Sequence, residues 1–285
     1  MIRSRLASAL NVSEGRDTAV LERLADACGE VLLDVHRDAD HHRSVLTLGG
    51  AGRGVVAAVR ATVALAVDLL DLSVHDGAHP RFGVVDVVPF SPVDSGDLLD
   101  AVEARDTIAI WAGATLGIPC FLYGPMPDGG ERSLPEVRRG AFVTLLPDTG
   151  PDRAHPRAGA MAVGARGPLV AYNLWVSGVS GTELRAVATR VRSRAIRTLG
   201  FSLASGAQIS CNLVQPELVG PAEAYERVAA ALPLGGRISR AELVGLVPQS
   251  VLDRVPSGRL AQLGLEGAVS LQARLADRSL RTRRS

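Results

Sequence analysis

The chain contains no lysine; all 31 of its basic residues are arginine. That excludes a Schiff-base lysine for pyridoxal phosphate or aldolase chemistry, and a P-loop lysine for nucleotide phosphates. Anions must be met by arginine, histidine or backbone N–H groups. Cysteine is scarce as well. Cys28, Cys120 and Cys211 are odd in number and far apart, which argues against a disulfide scaffold and for a reducing, cytoplasmic setting. An excess of either charge is also missing, since the net charge is +1. Neither nucleic acid nor an anionic membrane surface is therefore an expected partner. Long apolar runs are absent too. The greasiest stretch, "VVAAVRATVALAVDLLDL", is broken by Arg60 and Asp68 and reads as a buried helix. The start "MIRSRLASAL" is too short in its apolar part for a signal peptide, and Asn11 ends it.

What is present reads as an ordinary globular protein. The 285 residues, 47% apolar and 21% charged, suit two modest domains better than one small core. "LASALNV" reads as a strand, followed by the helix "SEGRDTAVLERLADACG", with Ser13 or Asp17 as cap and Gly29 as stop. "EVLLDV" reads as a strand buried on both sides. The polar loop "HRDADHH", the strand "RSVLTLGG" and a helix from about Gly54 to Leu72 come next. "FGVVDVVPF" is a strand, then a helix with Ser95 as N-cap and Gly117 at its end, then the strand "IPCFLYG". This β-α-β-β-α-β order predicts a ferredoxin-like, split βαβ arrangement with helices on one face of a mixed sheet.

"SLPEVRRGAF" reads as a further helix and the segment from Leu146 to Ala158 as a loop. "GAMAVGARGPLVAYNLWV" is a long strand, or a pair bent at Gly164 to Gly167. The second half repeats the theme. A helix over "GTELRAVATRVRSRAIRTLG" precedes the strand "AQISCNLV" and the helix "PAEAYERVAAAL", with proline at its first position. The strand "RISRAELVGLVP" and a closing helix from about Leu260 to Ala276 complete the chain. The expected architecture is α/β (α+β): two subdomains, 1–166 and 167–285, each a mixed sheet with helices on its outer face.

All six histidines fall in three loop-like segments: "HRDADHH", "HDGAHPR" and "RAHPR". Loops at strand ends are where functional groups gather, and imidazole is the side chain that titrates near neutrality. The motif Ala-His-Pro-Arg-X-Gly occurs twice, from Ala78 and from Ala154. In the first copy, Pro80 holds His79 extended. Asp86 lies in the apolar strand that follows, where an unpaired carboxylate is costly. Arg81 or a histidine is its expected partner. A histidine fixed at a strand mouth beside a carboxylate suits general acid–base work, and Arg43 suits bidentate capture of a substrate carboxylate.

These segments carry a resemblance. "NVSEGRD", "VLLDV", "HRSVLTLGG", "HDGAHPRFGVVDVVPFSPV", "GIPCFLYG", "SLPEVRRGAF", "GPDRAHPRAGAMAVGAR", "AYNLWV" and "AELVGLVP", in order through most of the chain, are similar to the formiminotransferase domain of the glutamate formiminotransferase family. The resemblance implies two α/β subdomains with a groove between them. It implies transfer of a formimino group from N-formimino-L-glutamate to N5 of tetrahydrofolate, a folate co-substrate, in histidine degradation. It places the catalytic histidine on His79 and the folate-contacting loop on 150–159, with Gly150, Pro151, His155, Arg157, Ala158 and Gly159 as its contacts. Substrate contacts fall on His36, His42, Arg43, Arg81 and Asp86. It further implies small-molecule substrates, no nucleic acid or membrane partner, and a homodimer in the cytoplasm.

Around His36 the chain departs from the family pattern, with His36 in place of a carboxylate and His42 in place of an amide. That exchange alters charge and hydrogen-bond direction and leaves other readings open. One is a paralogue acting on a different formimino or formyl donor. A second is a metal-assisted amidine hydrolase, with His36, Asp38, Asp40, His41 and His42 offering imidazole and carboxylate ligands. A third is a folate-binding protein without turnover.

Overall fold

The structure, a computed structural model, describes residues 2–77, 81–94 and 96–282. The chain divides into two compact units, Met1–Arg166 and Gly167–Ser285. Unit 1 comprises β1 (Arg5–Val12), α1 (Thr18–Cys28), β2 (Leu32–Asp38), β3 (Arg43–Ala51), α2 (Gly52–Leu69), β4 (Val85–Pro92), α3 (Leu98–Trp111), β5 (Cys120–Pro125), β6 (Glu131–Arg132), α4 (Leu134–Gly140) and β7 (Met161–Ala165).

Its seven-stranded sheet has the order β2-β3-β1-β4-β7-β5-β6. Pairing is antiparallel from β2 to β4 and parallel across β4, β7 and β5, so the sheet is mixed. Alternation along the strands sorts side chains between its two faces. Leu10 and Leu46 pair across β1 and β3 and are inaccessible to solvent; truncating either to alanine costs about 2–5 kcal/mol. They join Leu21, Leu24 and Cys28 of α1 and the apolar stripes of α2 and α3 in the main core. On the other face, Phe121, Tyr123, Val87 and Ala162 form a smaller core with Val137 of α4. Helices therefore cover both faces of this sheet, because α4 packs opposite the other three.

Unit 2 comprises β8 (Val170–Ser177), α5 (Gly181–Val191), β9 (Ile196–Leu203), β10 (Gly206–Leu213), α6 (Pro221–Ala231), β11 (Arg237–Val244), α7 (Gln249–Leu252) and α8 (Leu271–Thr282). Its sheet, β11-β8-β10-β9, is antiparallel throughout, not mixed as expected. The core pairs Tyr172, Leu174 and Ile209 with Leu184 and Val187 of α5 and Val228 of α6.

Local chemistry sets most boundaries. Asp17 caps α1, accepting from the Val20 N–H, and Gly29 ends it at φ 56; Ser13 instead donates its hydroxyl to the Gly83 carbonyl at 2.8 Å. Asp97 caps α3, while Ser95 lies outside the described residues. β2 is an edge strand in which only Leu33 is buried, not a strand buried on both faces. The helix expected over Gly181–Gly200 stops at Val191, and Ile196–Leu203 is a strand with Ile196 and Thr198 turned inward. The closing helix runs over Leu271–Thr282, later than expected, because Gly264 and Gly267 hold left-handed turns at φ 63 and 74. The segment around Gly164–Gly167 is two strands, β7 and β8, in different sheets. All three cysteines are free and buried. Among the described residues no helix is long and apolar enough to cross a membrane.

Candidate active site

One end of the unit 1 sheet gathers the chain after β1, the turn between β2 and β3, the entry to β4 and the entry to β7. Backbone bonds lock these pieces together. Ser13 N–H donates to the Val84 carbonyl at 2.8 Å and Val84 N–H to the Ala158 carbonyl at 3.0 Å. Gly83 pairs with Gly159. A side chain on Gly83 would come within 2.0 Å of the Ala160 carbonyl oxygen, so the approach requires glycine. Gly83 and Gly159, the glycines that close the two His-Pro-Arg-X-Gly motifs, are thus neighbours; His79 and Pro80 lie outside the described residues.

Glu14, 9% exposed, anchors the first wall. Its Oε1 accepts from the N–H groups of Gly15, Arg16 and Asp17 at 2.8, 2.6 and 2.9 Å. The Gly15 N–H is shared with His42 Nδ1 at 3.1 Å. His42 itself sits at φ 48, uncommon for a residue with a side chain. Its ring stacks on His75, centroids 4.4 Å apart and planes tilted by 31°. Burial depresses the His42 pKa, Glu14 opposes this, and Arg16 and Arg81 reinforce it. His75 is held down to about 4 by burial, then by His42 and Arg81.

Arg81 ties the site together. Its Nε donates to His75 Nε2 at 3.3 Å, and one terminal nitrogen donates to the carbonyls of His41 and His42. Burial, with Arg43 close by, draws its pKa down to about 10. Among the described residues, Asp86, 1% exposed, is paired with neither Arg81 nor a histidine by hydrogen bond: its Oδ2 meets Arg138 of α4 at 2.5 Å and its Oδ1 accepts from Phe82 N–H at 2.9 Å. Arg43 lies within reach of the Asp86, Asp38 and Arg138 charges, and burial lowers its pKa. Its Nε is inaccessible and has no hydrogen-bond partner among the described residues.

His36 lies on β2 opposite Val45, and its charge bears on Asp38. No ring contact or hydrogen bond joins it to His42 or His75 among the described residues. His41 instead engages Asp38, its Nδ1 lying 2.7 Å from Oδ2. Among the described residues no group of three or more His, Cys, Asp or Glu side chains is placed to hold a metal ion.

The 150–159 loop is built on backbone. His155 and Gly159 exchange N–H···O bonds at 2.8 and 2.9 Å, and His155 Nδ1 accepts from the N–H groups of Arg157 and Ala158 at 3.3 and 2.9 Å. Arg157 pairs with Asp71 at 3.1 Å. Gly150, at φ 86, packs on Gly113, and Pro151 is exposed. Ala158 and Gly159 are buried and serve the frame. Sequence reading missed Glu14, Gly15 and Arg138, and left His75 without a role. The signal for the first two was the acidic-glycine pair just ahead of a helix start, a natural place for a carboxylate on free N–H groups.

Imidazole, guanidinium and carboxylate groups from four distant stretches meet at one end of this α/β sheet, the kind of arrangement in which enzymes carry out group transfer. Comparison with known proteins names the group. The formiminotransferase domain, N-terminal subdomain, matches residues 5–166. The glutamate formimidoyltransferase of Streptococcus pyogenes is 33% identical over 264 residues, covering 85% of this chain and 88% of that one. That of Thermoplasma acidophilum is 33% identical over 267 residues, with the same coverage of 85% and 88%. The formimidoyltransferase-cyclodeaminase of Gallus gallus is 31% identical over 274 residues, covering 85% of this chain and 50% of its own length. The chain belongs to the formiminotransferase family.

Proposed function

We propose that this chain transfers the formimino group of N-formimino-L-glutamate to N5 of tetrahydrofolate, a step of histidine degradation. The observation that carries the reading is the pairing of Gly83 with Gly159 and of Val84 with Ala158, which sets the 155–159 loop beside the entry to β4. The N5 amine attacks the amidine-like formimino carbon and a tetrahedral intermediate forms. N5 must lose a proton and the glutamate nitrogen must gain one before it leaves. A histidine with an ordinary pKa near 6.5 can do both. His79, between Gly77 and Arg81 in the chain, is assigned that role. Arg43 and His42 are assigned to the donor; His36 is assigned to the outer edge of the same site. Arg81 and Asp86 hold the frame that presents them. The surface of Gly150, Pro151, His155 and Arg157, framed by Ala158 and Gly159, is assigned to the folate. Aligning two bound substrates supplies the rest of the acceleration.

The reading takes Met1–Arg166 and Gly167–Ser285 as the N-terminal and C-terminal subdomains. The neighbour orders β2-β3-β1-β4 and β9-β10-β8-β11, each on a β-α-β-β-α-β chain order, support a ferredoxin-like plan for both. A homodimer in the cytoplasm belongs to the same reading and is carried by the family alone. The test is to mix the protein with tetrahydrofolate and formiminoglutamate and follow 5-formiminotetrahydrofolate, or its cyclised product, by absorbance. His79→Ala is expected to lower turnover by about 10²–10⁴-fold. Absence of turnover from a folded protein that binds tetrahydrofolate would exclude formiminoglutamate as the donor.

A further inference from the structure

His75 belongs to none of the roles just assigned, yet it is fixed as firmly as any group in the site. Its Nε2 accepts from Arg81 Nε–H at 3.3 Å, so the ring proton resides on Nδ1. His42 Nδ1 accepts from the Gly15 N–H at 3.1 Å, so its ring proton resides on Nε2. Glu14 Oε1 lies 3.4 Å from His42 Nδ1, which would suit a protonated ring. That oxygen already takes three backbone N–H groups, and burial opposes a second ring proton, so the neutral form prevails. The two rings pack against each other, centroids 4.4 Å apart and planes tilted by 31°. The remaining N–H of each has no partner among the described residues. His42 adopts its left-handed backbone at φ 48 to complete this arrangement, and strain of that kind gathers at functional sites.

We propose that His75 and His42 form a neutral imidazole pair whose two uncommitted N–H groups, at His75 Nδ1 and His42 Nε2, bind a carboxylate of the formimino donor. The proposal rests on the transferase reading above. A site that offers only donors selects a group that only accepts, and an ionised carboxylate is such a group. The guanidinium of Arg81, bonded to His75, adds positive charge beside the pair, which strengthens hydrogen bonds to an anion. The charged groups facing the pair are Glu14 and Arg16 from the turn before α1 and Asp76 and Arg81 from the loop before β4. Burial, and for His75 also the neighbouring His42 and Arg81, holds both rings below the ordinary imidazole pKa. The two rings therefore contribute hydrogen bonds rather than charge, and their contribution is constant wherever both stay neutral.

The test compares His75→Ala, His75→Asn and His75→Gln in steady-state kinetics with each substrate varied, together with calorimetric binding of L-glutamate to each protein. The asparagine amide nitrogen falls near the position of Nδ1, whereas that of glutamine falls near Nε2. His75→Ala is expected to raise the KM for the donor, and the Kd for glutamate, by about 10- to 100-fold. The KM for tetrahydrofolate stays within about twofold. His75→Asn restores most of the loss and His75→Gln does not. The wild-type donor KM is flat above the ordinary imidazole range, between about pH 7 and 8. An unchanged glutamate Kd in a folded His75→Ala protein overturns the proposal, as does a wild type that fails to bind glutamate. A rise confined to the tetrahydrofolate KM would show the folate as occupant instead. A donor KM that climbs as pH passes through about 6–7 would show that the pair works as a cation. Glutamate binding that depends on His75 in a protein without transfer activity would uphold the pair and overturn only the transferase reading.

Discussion

Removing the Asp86 carboxylate tests how unit 1 holds this end of its sheet together. Asp86 is 1% exposed and bonds Arg138 at 2.5 Å and the Phe82 N–H at 2.9 Å. In Asp86→Ala both partners lose their acceptor. The Phe82 N–H left without one costs about 1–3 kcal/mol. Arg138 is 27% exposed at its side chain and regains some hydration, but Arg43 and Arg81 then face it with less opposing charge. Breaking a buried ion pair from one side costs about 3–5 kcal/mol, and that range is expected here. For a unit of this size it lowers Tm by about 6–20 °C. Urea unfolding followed by circular dichroism, with linear extrapolation, measures it. Asp86→Asn keeps the bond from Phe82 and is expected to lose about half as much. The double change Asp86→Leu with Arg138→Met removes both charges and is expected to cost less than the two single changes added together. A loss below about 1 kcal/mol in Asp86→Ala, or strict additivity in the cycle, would refute the claim that this pair anchors the site.

Two further outcomes follow from the same end of the sheet. A methyl group on Gly15 would sit 2.2 Å from the Asp38 carbonyl oxygen and 2.5 Å from the Arg43 nitrogen. Gly15→Ala is thus expected to cost about 1–3 kcal/mol and to raise the donor KM, readable in paired unfolding and kinetic measurements. For Asp38, burial pushes the pKa up, but hydrogen bonds from His41 and the charges of His41 and His36 outweigh it. Its pKa settles at about 2, below the ordinary 3.8. A depressed carboxylate stabilises the fold above the unfolded-state value and loses that contribution as pH falls through the folded one. About 2 kcal/mol should vanish as pH falls from about 5 to below 2, and Asp38→Asn should flatten that slope in acid-unfolding titrations.

Much of the fold was legible because periodicity and capping speak locally. The stripe Leu21, Leu24, Cys28 and the stop at Gly29 define α1 without knowledge of its neighbours. Position within a sheet is not local. The run "LLDV" reads the same at an edge as at a centre, and β2 lies at the edge because no strand follows it outward. The arginine-rich stretch after Val191 carried a weak alternation, with Ile196 and Thr198 inward and Arg197 outward, that a helical reading absorbed. In the site, histidine distribution pointed to the right loops. The partners of Asp86 and His42 could not be read the same way, since Arg138 and Gly15 stand 52 and 27 residues away.

The strand order has a consequence for synthesis. β7 lies between β4 and β5 although it is made after both. Until Met161–Ala165 emerges, β4 shows an open parallel edge and β5 has no place in the sheet. At about 5–20 residues per second, the ribosome takes roughly 2–8 s to pass from the end of β5 to the end of β7. During that interval two apolar strand edges are exposed together, the condition under which chains pair wrongly or aggregate. The nascent chain is most vulnerable just before its sheet is closed from the middle.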